Sequence, residues 1–444
     1  MTDNIPQLVD DVQNIQVSLV DSGSQLKQID SPQVLYLLAD IRPPVNERPK
    51  DSLPLNISLV IDRSTSMKGE RINKVKAAAA HFLEKLSSQD YVSIVVFSDR
   101  ADIIVPSTQP DSIQELMSRT NGIIPSGGTE IFQGLAAAYQ EIRKVDLSTH
   151  VNHIILLTDG HTYGDSDLCL ELAENAAQLG IGISGFGIGD EWNDTFLDNL
   201  VGMSGGQSGY IQEPEQIIHL LRQRIQSLGT VYAHNTRITF DLPSYANIRQ
   251  IFKLTPFFQP LKSINSQISA GAIEGRRPLS ILVEIEIEQI PSDEPLSTPF
   301  NIQAEIPTAT PSGLSMDISH EVQTSHADSI PVATPPLILE AVRMLNLYRM
   351  NEKIWQDLGN ENSDHTAVME RMDMLTKRSE EAGMGPLANN IRQNTRIIQA
   401  GNDLTDGNRM AVKYGTRLQL TATLQGALGQ SDDQNSDDQD QDEE

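Results

Sequence analysis

The chain has 444 residues and is 39% hydrophobic, too long for one ordinary core and suited to two or three domains. Lys and Arg number 33 against 60 Asp and Glu, a net charge of −27 that repels phosphate backbones and anionic lipid, so neither nucleic acid nor membrane is an expected partner. One cysteine, Cys169, excludes an intrachain disulfide framework and a multi-cysteine zinc site; no apolar run approaches the ~20 residues of a bilayer span, and no leader pattern follows Met1, so a cytoplasmic location is expected.

In chain order, residues 1–54 hold two strand candidates, 15–20 with period-two alternation and 34–41. Residues 55–61 read as a buried strand, after which Ile72, Val75, Ala79, Phe82, Leu83 and Leu86 recur at helical spacing. Strands are expected at 91–97 and 103–105, helices around 113–116 and 131–142, and a strand at 154–157. A helix at 168–179, a strand at 181–188 and a helix at 217–228 complete the alternation. Over 55–228 this pattern implies an α/β unit, a doubly wound and mostly parallel sheet covered on both faces. Residues 229–330 return to strands, at 236–241, 279–287 and 300–306. The two strand-rich flanks, 1–54 and 229–330, are read as one β-sandwich into which the α/β unit is inserted. Residues 336–425 are mainly helical: Leu337, Ala341, Met344, Leu345 and Tyr348 form one stripe, and Val368, Met369, Met372 and Leu375 another. The methionines suit core gaps. Residues 430–444, with eight carboxylates, are expected to be a disordered acidic tail.

The chemistry-bearing residues cluster at strand ends. Asp62-Arg63-Ser64-Thr65-Ser66 directly follows the first α/β strand, and in extended chain Asp62, Ser64 and Ser66 share one direction. A carboxylate and two hydroxyls offer only oxygen, the ligand set of a hard cation. Gly127-Gly128-Thr129-Glu130 opens a helix with a hydroxyl at its entrance, and Thr158-Asp159-Gly160 ends the next main strand with a second carboxylate. In a doubly wound order the strands ending at Asp62 and Asp159 are central neighbours whose connections diverge, and that switch point is where such sheets bind ligands.

These residues resemble the von Willebrand factor A domain and its metal-ion-dependent adhesion site, an Asp-x-Ser-x-Ser motif with a Thr in a second loop and an Asp in a third. They map onto Asp62, Ser64, Ser66, Thr129 and Asp159, and the Gly-Gly-Thr-Glu-Ile stretch at 127–131 adds to the likeness. The resemblance implies Mg²⁺ or Mn²⁺, with Ca²⁺ as an alternative, and a coordination position left for water or for a partner's Asp or Glu. It implies a non-enzymatic, metal-dependent protein-interaction module. By family analogy the partner belongs with AAA-type ATPases or kinase-signalling assemblies. The alternatives are a scaffold with a purely structural metal, and a metal-dependent hydrolase whose general base would be His161.

Two catalytic-looking motifs carry no such expectation. Gly202-Met203-Ser204-Gly205-Gly206 matches a nucleophile elbow, but Phe196, Leu197, Leu200 and Val201 place a helix where that motif needs a strand. Gly180-Ile181-Gly182-Ile183-Ser184-Gly185 matches a dinucleotide fingerprint but leads into a strand.

Overall fold

The computed structural model describes residues 7–12, 15–22, 26–27, 29, 31–42, 53–162, 164–274, 277–288, 290, 297–306, 314–325, 333–358 and 364–437. It begins with β1 (Gln7–Val12), β2 (Ile15–Asp21), β3 (Leu26–Lys27) and β4 (Gln33–Arg42). The α/β unit opens with β5 (Leu55–Asp62), α1 (Glu70–Leu83), β6 (Tyr91–Phe97), β7 (Ala101–Thr108), α2 (Ile113–Asn121) and α3 (Ile131–Ile142). It continues with β8 (Val151–Thr158), α4 (Ser166–Gln178), β9 (Gly182–Ile188), α5 (Asp194–Ser204), β10 (Ser208–Ile211) and α6 (Gln216–Leu228). Strands return as β11 (Val231–Asp241), β12 (Ala246–Thr255), β13 (Gln259–Leu261), β14 (Gln267–Glu274), β15 (Leu279–Ile287), β16 (Ser297–Ile306) and β17 (Leu314–Ser325). Helices α7 (Pro336–Leu358), α8 (His365–Glu381), α9 (Gly385–Gln399) and α10 (Asp406–Asp437) complete the described chain.

The α/β sheet has the order β10-β9-β8-β5-β6-β7, parallel except where β7 runs antiparallel to β6. Side-chain alternation on β5 feeds two layers. Ile57, Leu59 and Ile61 pack with α1 and α6, while Val60 packs with Ile131 and Leu135 of α3. Every residue of β5 and β8 is buried, as expected of central parallel strands.

Two further sheets face each other across a separate core. One has the order β1-β2-β4-β15-β12-β13 and the other β14-β11-β16-β17-β3. Leu35, Leu37 and Ala39 of β4 and Val283 and Ile285 of β15 meet Ile238 and Phe240 of β11 and Ile318 of β17. β4 pairs with β15 antiparallel from Gln33↔Ile287 to Ile41↔Leu279. The chain therefore leaves this sandwich after β4 and re-enters it at β11, with the α/β unit interposed.

The opposite face of the six-stranded sheet presents Leu38, Phe252, Leu254 and Leu282, and helices α7 to α10 cover it with Leu345, Tyr348, Met372, Leu387, Leu420 and Leu424. Met344, Met372 and Met384 are buried there, as fillers of the helix-on-sheet core.

Several elements depart from the sequence reading. β12 and β14 are strands that period-two reasoning passes over, because Asn247, Arg249, Gln250 and Lys253 interrupt β12 while its partners β15 and β13 decide its state. Lys253 is fully buried in that strand, with its ammonium on the Gly205 carbonyl and over the Phe257 ring. β17 carries Met316, Ile318 and Val322 at period two, a signal present in the sequence. Residues 430–437, expected to belong to a disordered tail, lie within α10; a helix already nucleated by packed turns around Leu420 and Leu424 extends at little cost per residue. Residues 438–444 lie outside the described residues. Among the described residues no helix is long and apolar enough to cross a membrane.

Candidate metal centre

β5 and β8 are hydrogen-bonded neighbours in register from Leu55↔Val151 to Ile61↔Leu157, so their C-terminal ends finish side by side. Asp62 closes β5 and is fully buried. One of its oxygens accepts from the Ser64 amide at 2.7 Å, and the other from the Thr158 hydroxyl at 2.8 Å. The first hydrogen bond folds the chain back at once, so the loop enters a 3₁₀ turn at Thr65–Met67 and Ser64 and Ser66 point to the same side. Their hydroxyls lie 2.9 Å apart.

Asp159, one residue beyond β8, is also fully buried. Its Oδ1 accepts from Ser66 Oγ at 2.7 Å and, more loosely, from Ser64 Oγ at 3.4 Å. Its Oδ2 accepts from Arg71 Nη1 at 2.7 Å.

The third contribution comes from the segment before α3. Gly127 has φ +82°, and a Cβ there would lie 2.6 Å from an Asp99 carboxylate oxygen. Only glycine permits that approach. Asp99 in turn accepts from the Gly128 amide at 2.9 Å, Thr65 N donates to the Gly127 carbonyl at 3.1 Å, and Ser126 N donates to the Arg63 carbonyl at 2.7 Å. The loop is thereby pinned to the Asp62–Ser66 segment. Thr129 is buried, with its hydroxyl against Gly160, where an added Cβ would stand 3.1 Å away.

The structure thus brings Asp62, Ser64, Ser66, Thr129 and Asp159 to one point at the switch of the sheet. The donor set suits a hard divalent cation: two carboxylates and three hydroxyls, with no nitrogen or sulfur. Burial is the largest influence on the Asp62 carboxyl and raises it to about 6, with the Ser64 and Thr158 hydrogen bonds opposing. Among the described residues no side-chain cation pairs with it, so a buried carboxylate stands where a dication would keep it ionised. Among the described residues no group of three or more His, Cys, Asp and Glu is placed to hold a metal ion, so a cation at this point would rest on two carboxylates and hydroxyls.

Sequence reasoning missed Thr158 and Arg71. Thr158 directly precedes Asp159 in the quoted turn, and Arg71 is a cation in the first turn of a helix, where the dipole favours anions. Arg63, beside the metal loop, turns away to pair with Asp102. His161 is exposed.

The catalytic-looking motifs find structural uses. Ser204 closes α5, where its buried hydroxyl accepts from the Ile183 amide at 2.9 Å, and Gly205 takes φ +67° as the helix cap. Gly182 and Gly185 lie inside β9. Cys169 is buried on α4, and burial pushes its thiol well above the ordinary range.

Residues 56–224 match the von Willebrand factor type A domain, and residues 336–422 match the Sll0103-like, C-terminal alpha-helical domain. The chain therefore carries a von Willebrand factor type A domain. It is similar to the Synechocystis sp. protein sll0103, with 27% identity over 84% of this chain and 89% of the relative. The likeness to Escherichia coli YfbK is 23% over 54% of this chain and 43% of that protein. Human inter-alpha-trypsin inhibitor heavy chain H4 is 29% identical over 51% of this chain and 25% of its own length. Among solved structures, a von Willebrand factor type A protein from Catenulispora acidiphila superposes with a TM-score of 0.72 at 14% identity, covering 94% of this chain and 98% of that one. The ArnB paralog VWA2 from Sulfolobus acidocaldarius gives 0.58 at 17% identity over 91% and 98%. These two likenesses are of fold, and they extend well beyond the A domain.

Proposed function

We propose that this A domain protein is a non-enzymatic interaction module that binds a carboxylate of a protein partner through a divalent cation held by Asp62, Ser64, Ser66, Thr129 and Asp159. The observation that carries this reading is the convergence of three separate loops, which places two fully buried carboxylates and three hydroxyls together at the C-terminal ends of β5 and β8. Mg²⁺ or Mn²⁺ suits an all-oxygen site with few carboxylates, and Ca²⁺ is the alternative. Two protein carboxylates balance a dication, so an incoming Asp or Glu meets no excess negative charge. When bound, the cation supplies a Lewis-acidic position for that carboxylate.

Each residue then has a role fixed by its contacts. Asp62 supplies the buried charge, Ser64 and Ser66 present hydroxyls already oriented by Asp159, and Thr129 is carried on a loop braced by Asp99. The hydrolase alternative finds little here, since its general base His161 is solvent-exposed.

The test compares partner capture by the wild-type protein in Mg²⁺, by wild type in EDTA and by Thr129→Val in Mg²⁺, with Mn²⁺ binding followed by electron paramagnetic resonance. Loss of the hydroxyl is expected to weaken Mn²⁺ by about tenfold, one charge-assisted contact. The same partners are expected to be lost in EDTA. Identical partner sets with and without metal would overturn the reading and leave the cation a structural role.

A further inference from the structure

Arg71 stands where elementary helix chemistry disfavours it. It is the second residue of α1, and the amide dipoles of a helix make its N-terminus a place for anions. The guanidinium is only partly exposed, at 31%, and among the described residues its one ion pair is to the Asp159 carboxylate, 2.7 Å away. Its other flank lies against Gly189, at the end of β9, where φ is +70° and a Cβ would fall 2.7 Å from Arg71 Nη2. The Gly189 carbonyl is itself fixed by the Trp192 indole N–H at 2.8 Å. A cation has thus been built into the mouth of the crevice, between the ends of β8 and β9, with backbone shaped to receive it.

We propose that Arg71 is an internal counter-cation that sets the divalent affinity of this site. The inference rests on the reading of the site as a cation site and adds a residue to it. Two consequences of the ion pair oppose each other. The Arg71 hydrogen bond orients Asp159, leaving Oδ1 to gather the Ser64 and Ser66 hydroxyls. The same positive charge neutralises Asp159 and repels a dication. A full charge this close outweighs the orientation gained from one hydrogen bond, so the net effect is to weaken cation binding. With Arg71 in place, the five-residue cluster and its neighbour carry two negative charges and one positive. A loaded site is then net positive and favours a partner rich in Asp and Glu over a neutral one.

The experiment measures Mn²⁺ binding to the full chain by titration calorimetry and thermal unfolding with Mn²⁺ or EDTA, for wild type, Arg71→Met, Arg71→Gln and Arg71→Lys. Arg71→Met removes the charge and keeps the apolar stem; Arg71→Gln also keeps a donor for Asp159. Both neutral variants are expected to bind Mn²⁺ about tenfold more tightly and to melt lower in EDTA, with Mn²⁺ restoring most of the loss. Arg71→Lys should stay within about threefold of wild type, since the charge is retained. Equal or weaker Mn²⁺ binding by Arg71→Gln, with a wild-type circular dichroism spectrum, would overturn the inference while leaving the site intact. Absence of Mn²⁺ binding by the wild type itself would overturn the cation site and this inference together.

Discussion

Asp198→Ala is expected to lower the unfolding free energy by about 3–5 kcal/mol, the cost of leaving buried cations without their partner. Asp198 sits on α5 and receives both guanidinium nitrogens of Arg417, at 2.8 and 2.7 Å, and the Lys413 ammonium at 2.7 Å. Ser208 Oγ adds a hydrogen bond at 2.5 Å. One helical turn earlier, Asp194 binds Arg409 at 2.7 Å and Lys413 at 2.6 Å. Arg417 also reaches the Tyr348 hydroxyl on α7, at 3.0 Å. The cluster fastens the A domain to the C-terminal helices through largely buried charges, with Lys413, Arg417 and Asp194 almost fully enclosed. Urea unfolding of the single variant would read the loss. The double variant Asp198→Leu with Arg417→Met should recover much of it, because removing both charges also removes their desolvation cost. A loss below about 1 kcal/mol in the single variant would show that the helices do not need the cluster.

The same carboxylate gives the acid limb of stability a sign. Burial alone raises the Asp198 carboxyl, but the Arg417 and Lys413 charges overcome it and hold the group well below the ordinary range. A carboxyl depressed in the folded state contributes stability that is fully present above its unfolded value, about pH 4, and is lost as pH falls toward the folded value. Asp198→Asn should therefore flatten the decline of stability below about pH 4.

Asp62→Asn is expected to lose at least about a hundredfold in divalent affinity, the effect of withdrawing one full charge from a buried all-oxygen site. The amide keeps the size of the side chain, and its oxygen can still accept from the Ser64 amide. In EDTA the variant should be more stable than wild type, since a fully buried carboxylate without a counter-cation costs several kcal/mol. With saturating Mg²⁺ the order should reverse, because only wild type gains binding energy on folding. Melting curves in the two buffers check both signs. A variant that melts below wild type in EDTA would show that the Asp62 charge is already compensated without metal.

Much of the candidate site was legible because its parts are local. Asp62, Ser64 and Ser66 fall within five residues, and each of the three segments follows an apolar strand or opens a helix, so alternation alone puts them at one edge of a parallel sheet. The A domain elements were legible for the same reason: uninterrupted runs such as 55–61 and 154–157 alternate with helical stripes. Where polar residues are buried, local pattern failed. β12 is held by β15 and β13 despite Arg249, Gln250 and Lys253, and β14 by β11 despite Gly271.

By itself, the sequence determined the alternating α/β unit, the oxygen-bearing side chains of the candidate site and the strand-rich character of its flanks, since these rest on periodicity and on side-chain chemistry within a few residues. Only the tertiary structure decided that β4 pairs with β15 across the inserted unit, that Arg71 spends its charge on Asp159, and that Asp198 meets Arg417 across 219 residues of chain. Such contacts join residues whose own segments would form without them. Their partners are selected by burial, where an unmatched charge is expensive, and no local pattern records which distant residue supplies the match.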